Sequence, residues 1–356
     1  MASTFIYKKP FKLETGHTLP ELKLAYTTHG KINEAKDNVI WVFHALTANS
    51  DPAEWWAGLV GDGKLFDPAK YFIICVNTPG SCYGSTGPLD INPATGSPWF
   101  HDFPYFTTRD MIRSYQLLKN ELGIERIHIG VGGSLGGQQL LEWAVEEPEL
   151  FEHIIPIATN ANHSPWGIAF NASQRFCIEN DSSWPQKDPK AGINGMKTAR
   201  SFALLSYRHY ETYLKDQSET DLEKTEGFRS ESYQRYQGEK LAARFNAFSY
   251  YTLSRSMDAH NVGRRRVSVA AALGLIRART LSIGITTDTL FPLREQQYLA
   301  DAIPGAVFKA IHSPYGHDGF LLEFEAIRQI IQDWLDHKES EAGTFREKLS
   351  NFNLFL

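Results

Sequence analysis

The sequence predicts a doubly wound α/β sheet interrupted once by a long helical segment. Three observations predict it: short continuous apolar runs that suit strands buried on both faces, amphipathic helical stretches alternating with them, and a stretch, residues 166–266, in which only the helical period is found.

Taken in order, FKLETG and LKLAYTTHG, between Phe11 and Lys36, alternate partially and are punctuated by Gly, which predicts an opening hairpin. The runs VIWVFHA from Val39, YFIICVN from Tyr71, RIHIGV from Arg126 and HIIPIAT from His153 predict buried parallel strands. Between them MIRSYQLLKNELG ends on the helix-stopping Gly123, and QLLEWAVEEP ends at Pro148. From about Trp166, GIAFNASQRFCIEN, MKTARSFALLSYRHYETYLKD and KLAARFNAFSYYTLSRSMD predict helices. Strand character returns in ARTLSIGITTD and GAVFKAIHS, and GFLLEFEAIRQIIQDWLDHKE predicts a closing amphipathic helix. The expected organisation is one α/β core made by residues 1–165 and 267–356, with residues 166–266 inserted as a helical lid.

Composition removes several classes of function. A chain of 356 residues with 42% hydrophobic and 22% charged residues is an ordinary globular protein, neither disordered nor fibrous. Its 36 basic and 41 acidic residues give a net charge of −5, the wrong sign for a protein that works by neutralising phosphate backbones, so no nucleic-acid partner is expected. The short basic run Arg264, Arg265 and Arg266 reads as a turn or an interdomain pairing. Three cysteines without CxxC spacing argue against disulfides and structural zinc, and fit a reducing, cytoplasmic setting. The N-terminus has no apolar h-region and no window has 18 apolar residues, so neither export by that route nor a membrane span is expected.

The strongest chemical signal is GVGGSLGGQQLLEWA, where Gly132-Gly133-Ser134-Leu135-Gly136 matches G-x-S-x-G between a predicted strand and helix. Such a turn holds the Ser in a strained conformation with its hydroxyl exposed at the helix N-terminus, and it needs small residues on both sides. A phosphate loop is excluded because no Lys-Ser/Thr pair follows the glycines. A Ser hydroxyl needs a base, and the base an orienting acid; in α/β-hydrolases the order is Ser, acid, His. Asp288, at the end of a predicted strand, and His317, in the loop before the last helix, supply that order. Asp318 is the alternative orienter, though an adjacent residue rarely reaches the imidazole with good geometry. Two backbone N–H groups should face the developing oxyanion, those of Leu46 and Leu135. HExxH and dinucleotide fingerprints are absent, so no metal and no bound cofactor are expected.

In chain order HALTANSDPAEWWAGLVG, NTPGSCYGSTGP, GGSLGGQQLLEWA, MDAHNVGRRR, TLSIGITTDTLFP and YGHDGFLLE resemble the homoserine O-acetyltransferases of methionine biosynthesis, over about residues 11–335. The resemblance implies an α/β-hydrolase fold and a ping-pong transfer in which Ser134 takes acetyl from acetyl-CoA and gives it to the side-chain hydroxyl of L-homoserine. It carries the triad onto Ser134, Asp288 and His317, the substrate carboxylate onto Arg200 with Arg175 as a weaker candidate, and the substrate amine onto Asp318. It further implies a homodimer joined through lid helices. Where the family often has Gly after HALT this chain has Ala48, beside a loop that borders the acyl pocket. Acetyl is the expected donor; succinyl transfer, serine as acceptor, hydrolysis of small esters and a ligand sensor on the same scaffold are the alternatives.

Overall fold

The computed structural model describes residues 2–336. The strands are β1 (Ala2–Tyr7), β2 (Phe11–Lys12), β3 (Thr18–Leu19), β4 (Leu22–His29), β5 (Val39–Phe43), β6 (Phe72–Val76), β7 (Ile91–Asn92), β8 (Ser97–Pro98), β9 (Ile127–Gly133), β10 (Phe151–Ile157), β11 (Arg279–Ile285) and β12 (Val307–Ile311). Eight of them form one sheet in the order β1-β4-β6-β5-β9-β10-β11-β12. β1, β4 and β6 pair antiparallel, and every pairing from β6 to β12 is parallel. The non-sequential order shows the crossovers that place helices on both faces. The opening hairpin is present as β2 and β3, but LKLAYTTH pairs with β1 and β6 instead, and β1 itself was not predicted.

The helices are α1 (Pro52–Trp55), α2 (Thr108–Glu121), α3 (Leu135–Glu146), α4 (Pro165–Glu179), α5 (Ile193–Tyr207), α6 (Tyr210–Gln217), α7 (Arg229–Ala242), α8 (Ala247–Asp258), α9 (Val269–Leu273), α10 (Leu293–Ala302) and α11 (Phe324–Asp336). Alternation along β5 shows why both faces are covered. Trp41 and Phe43 pack among Tyr115 of α2 and Trp143 of α3, while Ile40 and Val42 join Trp56, Ile327 and Ile331 on the other side.

Between β10 and β11 the described chain contains helices α4 to α9 and no strand. Two stretches expected as single helices are each divided in two. Arg208 and His209 are extended between α5 and α6, and Asn246, capping α8 by accepting from Ser249 N at 2.8 Å, ends the run after α7. The closing helix is likewise divided, because residues 316–321 form a 3₁₀ turn before α11; its last residues, 337–339, lie outside the described part.

Arg264 and Arg266 anchor the return from the helical stretch to the core. Arg264 meets Glu14 at 2.8 Å and Arg266 meets Glu142 at 3.0 Å and Glu146 at 2.9 Å, with Arg109 joining Glu14 and Glu142 from the core side. Burial pushes the Glu142 carboxyl up and the two guanidiniums oppose it. No described helix is long and apolar enough to cross a membrane.

Candidate active site

The parallel strands deliver their C-terminal ends to one edge of the sheet, the edge at which doubly wound folds place ligands. Ser134 stands there between β9 and α3 with φ +56° and ψ −126°, a conformation that costs an L-residue free energy and is found mostly at functional sites. Its backbone is over-determined: Ser134 N donates to Ile157 O at 3.1 Å, and its carbonyl accepts from Gln138 N at 3.1 Å and Thr159 Oγ1 at 2.8 Å.

The flanking glycines are required by contact. A Cβ on Gly136 would stand 2.1 Å from the Phe43 carbonyl oxygen, and one on Gly132 would stand 2.7 Å from the Gly136 carbonyl carbon. Neither neighbour is a flexible side-chain end, so relief requires the backbone to move. Gly136→Ala is therefore expected to lower stability by about 3 kcal/mol, the cost of overpacking a rigid site, read as a drop in the urea midpoint at unchanged m. A loss below about 0.5 kcal/mol would show that the elbow tolerates a wider gap between β5 and α3.

Asp288 lies three residues beyond β11. One carboxylate oxygen accepts from the backbone N–H groups of Leu290 and Phe291, both at 2.8 Å, which turns the other oxygen toward His317 Nδ1 at 2.6 Å. A carboxylate only accepts, so the imidazole proton sits on Nδ1 and Nε2 keeps its lone pair. His317 is buried at the start of the 3₁₀ turn, not in an open loop, with its ring stacked on Phe291 at 5.1 Å and against Phe320 at 5.2 Å. Burial pushes its pKa down, but the Asp288 charge and hydrogen bond outweigh that and hold it above the usual histidine value.

A cavity of about 620 Å³ opens over these groups, lined by Ser134, His317, Asp318, Leu46, Arg200 and Tyr207 among others. The Leu46 and Leu135 backbone N–H groups have no acceptor among the described residues, and the contact of Gly136 with Phe43 and His44 brings their two turns together. Sequence reasoning missed what pins the first turn. His44 Nδ1 donates to Ala45 O at 2.8 Å while Nε2 accepts from Thr78 N at 2.9 Å, which fixes one neutral tautomer; burial lowers its pKa to about 4.

Arg200 lines the cavity with its guanidinium 5.3 Å from the Tyr207 ring centroid. Asp318 forms an ion pair at 2.8 Å with Arg208, a residue the sequence reading did not single out. Burial raises the Asp318 carboxyl pKa, against the opposing charges of Arg208, Arg200 and His317. Arg175 does not reach the cavity: it bonds Asp258 at 2.6 Å and Ser254 at 3.1 Å, because its face of α4 packs on α8. That candidate is withdrawn. Arg208 stands just past the end of α5 in extended backbone, where helical spacing from Arg200 no longer applies, so no local signal pointed to it.

The model of the α/β-hydrolase fold family matches residues 38–324. Over 330 residues the chain is 50% identical to a homoserine O-acetyltransferase of Cyclobacterium marinum, covering 93% of this chain and 94% of that one. It is 44% identical to a homoserine O-acetyltransferase of Chlorobaculum parvum, covering 93% and 96%. Among solved structures, homoserine O-acetyltransferase from Bacillus anthracis superposes with a TM-score of 0.87 at 25% identity, over 94% of this chain and 97% of that one.

Proposed function

This chain belongs to the homoserine O-acetyltransferases, acyltransferases built on the α/β-hydrolase fold, and from that premise we propose that Ser134 carries acetyl from acetyl-CoA to the side-chain hydroxyl of L-homoserine. The observation that carries the residue assignment is the 2.6 Å bond from His317 to Asp288 at the wall of the cavity that also holds Ser134 and Arg200.

In the first half-reaction His317 Nε2 takes the Ser134 proton as the Ser oxygen attacks the thioester carbonyl. The Leu46 and Leu135 N–H groups hold the oxyanion, and its collapse expels the thiolate, which leaves as CoA with the proton from His317. In the second, His317 deprotonates the homoserine hydroxyl, which attacks the acetyl-Ser ester. Collapse frees O-acetylhomoserine, and Ser134 recovers its proton. Arg200 offers a bidentate fork for the homoserine carboxylate, and Asp318, buried beside Arg208, an acceptor for its ammonium. No metal or bound cofactor enters these steps.

The test is thiol release from acetyl-CoA with and without L-homoserine, with succinyl-CoA and L-serine alongside. Acceptor-dependent release supports transfer, and equal release without acceptor would make the protein an esterase or thioesterase. Arg200→Ala is expected to raise KM for homoserine roughly 10- to 100-fold, the cost of a charge-assisted pair, while single-turnover thiol release from acetyl-CoA stays within about threefold. Parallel loss of both half-reactions would place Arg200 elsewhere.

We read residues 166–266 as a lid over the core of 1–165 and 267–356. Trp166, Phe176, Leu205 and Leu214 expose apolar side chains on α4, α5 and α6, which supports a homodimer joined through the lid; sedimentation equilibrium tests it. Cys75, Cys82 and Cys177 are free thiols, which supports a cytoplasmic enzyme.

A further inference from the structure

Beyond the groups placed at the reacting atoms, the cavity is lined by two more cations, Lys240 and Arg244. Gln237, Lys240, Leu241 and Arg244 recur at three- and four-residue spacing, so α7 and the turn after it show the cavity one face. The four cations of the lining are graded by depth. Arg200 and Arg208 are half-buried beside buried Ser134, His317 and Asp318, whereas Lys240 and Arg244 are exposed.

Their partners differ as well. Arg208 is spent on Asp318, while Lys240 and Arg244 have no carboxylate partner among the described residues. Arg244 is nonetheless held in place, donating to Tyr83 Oη at 2.6 Å and to the Thr47 carbonyl. The remaining acid of the lining, Glu54, accepts from Asn49 Nδ2 at 2.9 Å. An exposed cation ordered by neutral partners keeps its charge available to a ligand. An amino acid needs only one cation, for its carboxylate, and Arg200 lies deeper for that purpose.

We propose that Lys240 and Arg244 form a phosphate-binding rim that holds the phosphates of the acyl donor while its thioester reaches Ser134. This rests on acetyl-CoA being the donor. A thioester of CoA carries its negative charge on a pyrophosphate and a ribose phosphate, at the far end of a neutral pantetheine arm from the reacting carbonyl. A site that grips such a donor needs anion-binding groups at its exposed rim, away from the buried nucleophile. The rim meets that requirement, with Lys240 supplying a point charge and Arg244 a planar fork.

The test compares acetyl-CoA with S-acetylpantetheine, which has the same reacting group and no phosphate. For Lys240→Ala the ratio of KM values, acetyl-CoA over S-acetylpantetheine, is expected to rise about tenfold, for Lys240→Glu further, and Lys240→Arg should restore it. Added salt should raise the wild-type KM for acetyl-CoA while leaving that for S-acetylpantetheine flat. An unchanged ratio in both the alanine and glutamate variants would overturn the rim. So would an equal loss with both donors, which would make Lys240 a support for the lid. A wild-type protein that releases thiol from neither donor would instead bring down the donor assignment.

Discussion

Ser134→Ala is expected to fold as the wild type does and to lose acetyl transfer by about 10⁴-fold or more, because the proposed acyl intermediate forms on the hydroxyl that it removes. The Ser134 side chain makes no hydrogen bond that holds the elbow; the turn is held by its backbone and by the glycines on either side. Removing the hydroxyl should therefore change the unfolding free energy by no more than about 0.5 kcal/mol, read from the urea midpoint at unchanged m. Ser134→Gly sharpens the test, since glycine adopts φ +56° without the penalty paid by a side chain. That variant should be more stable than wild type by about 1 kcal/mol and equally inactive. Acetyl-CoA should leave a stoichiometric acetyl adduct on the wild-type protein without homoserine, and none on either variant. An adduct on the alanine variant, or transfer within tenfold of wild type, would remove Ser134 from the mechanism.

The part of this arrangement that was legible in the sequence is the part fixed by local sterics and two-sided burial. Val39–Phe43, Phe72–Val76 and Ile127–Gly133 are continuous apolar runs because helices cover both faces of the sheet. Ser134 was legible because its neighbours must be glycine to clear Phe43 and each other. Asp288 and His317 were legible from chain order and from their places after β11 and before α11. What escaped depends on partners distant in sequence or on caps that look like ordinary helix text. β1 is stabilised by pairing with β4, so its six residues carry no two-sided apolar run. The breaks after Tyr207 and Ala242 carry no Gly or Pro; His209 and Asn246 cap the next helices with polar side chains that also occur inside helices. The Arg208 to Asp318 pair joins α5's end to the 3₁₀ turn after β12, which nothing local encodes. Arg175 misled because an Arg on a lid helix was read without knowing which face α8 would cover.

Asp288→Asn keeps the shape of the site and reverses its proton arrangement. In the wild type one carboxylate oxygen is engaged by the Leu290 and Phe291 N–H groups and the other faces His317 Nδ1. An asparagine keeps its oxygen on the two backbone donors, since its NH₂ group cannot accept from them, and so turns that NH₂ toward Nδ1. The imidazole must then accept at Nδ1 and carry its proton on Nε2, where the Ser134 proton has to go. A fall in kcat of about 10³- to 10⁴-fold is expected, with little change in KM. The pH profile carries an independent signature. Burial lowers the His317 pKa while the Asp288 charge and hydrogen bond raise it, and the raising effects win. Wild-type kcat/KM should therefore fall as pH drops through a value above 6.5, where the base becomes protonated. In the asparagine variant only burial and the weaker pull of Asp318 remain, so the acid limb of the residual activity moves to lower pH. Stability runs with the opposite sense. A pKa raised by folding stabilises the native state below the unfolded value of about 6.5, and that contribution is lost as pH rises through the folded value. The stability gap between wild type and Asp288→Asn should thus be wider at pH 6 than at pH 9, in urea titrations at the two values. An acid limb that stays in place, with a gap that does not narrow, would mean that Asp288 does not govern the protonation of His317.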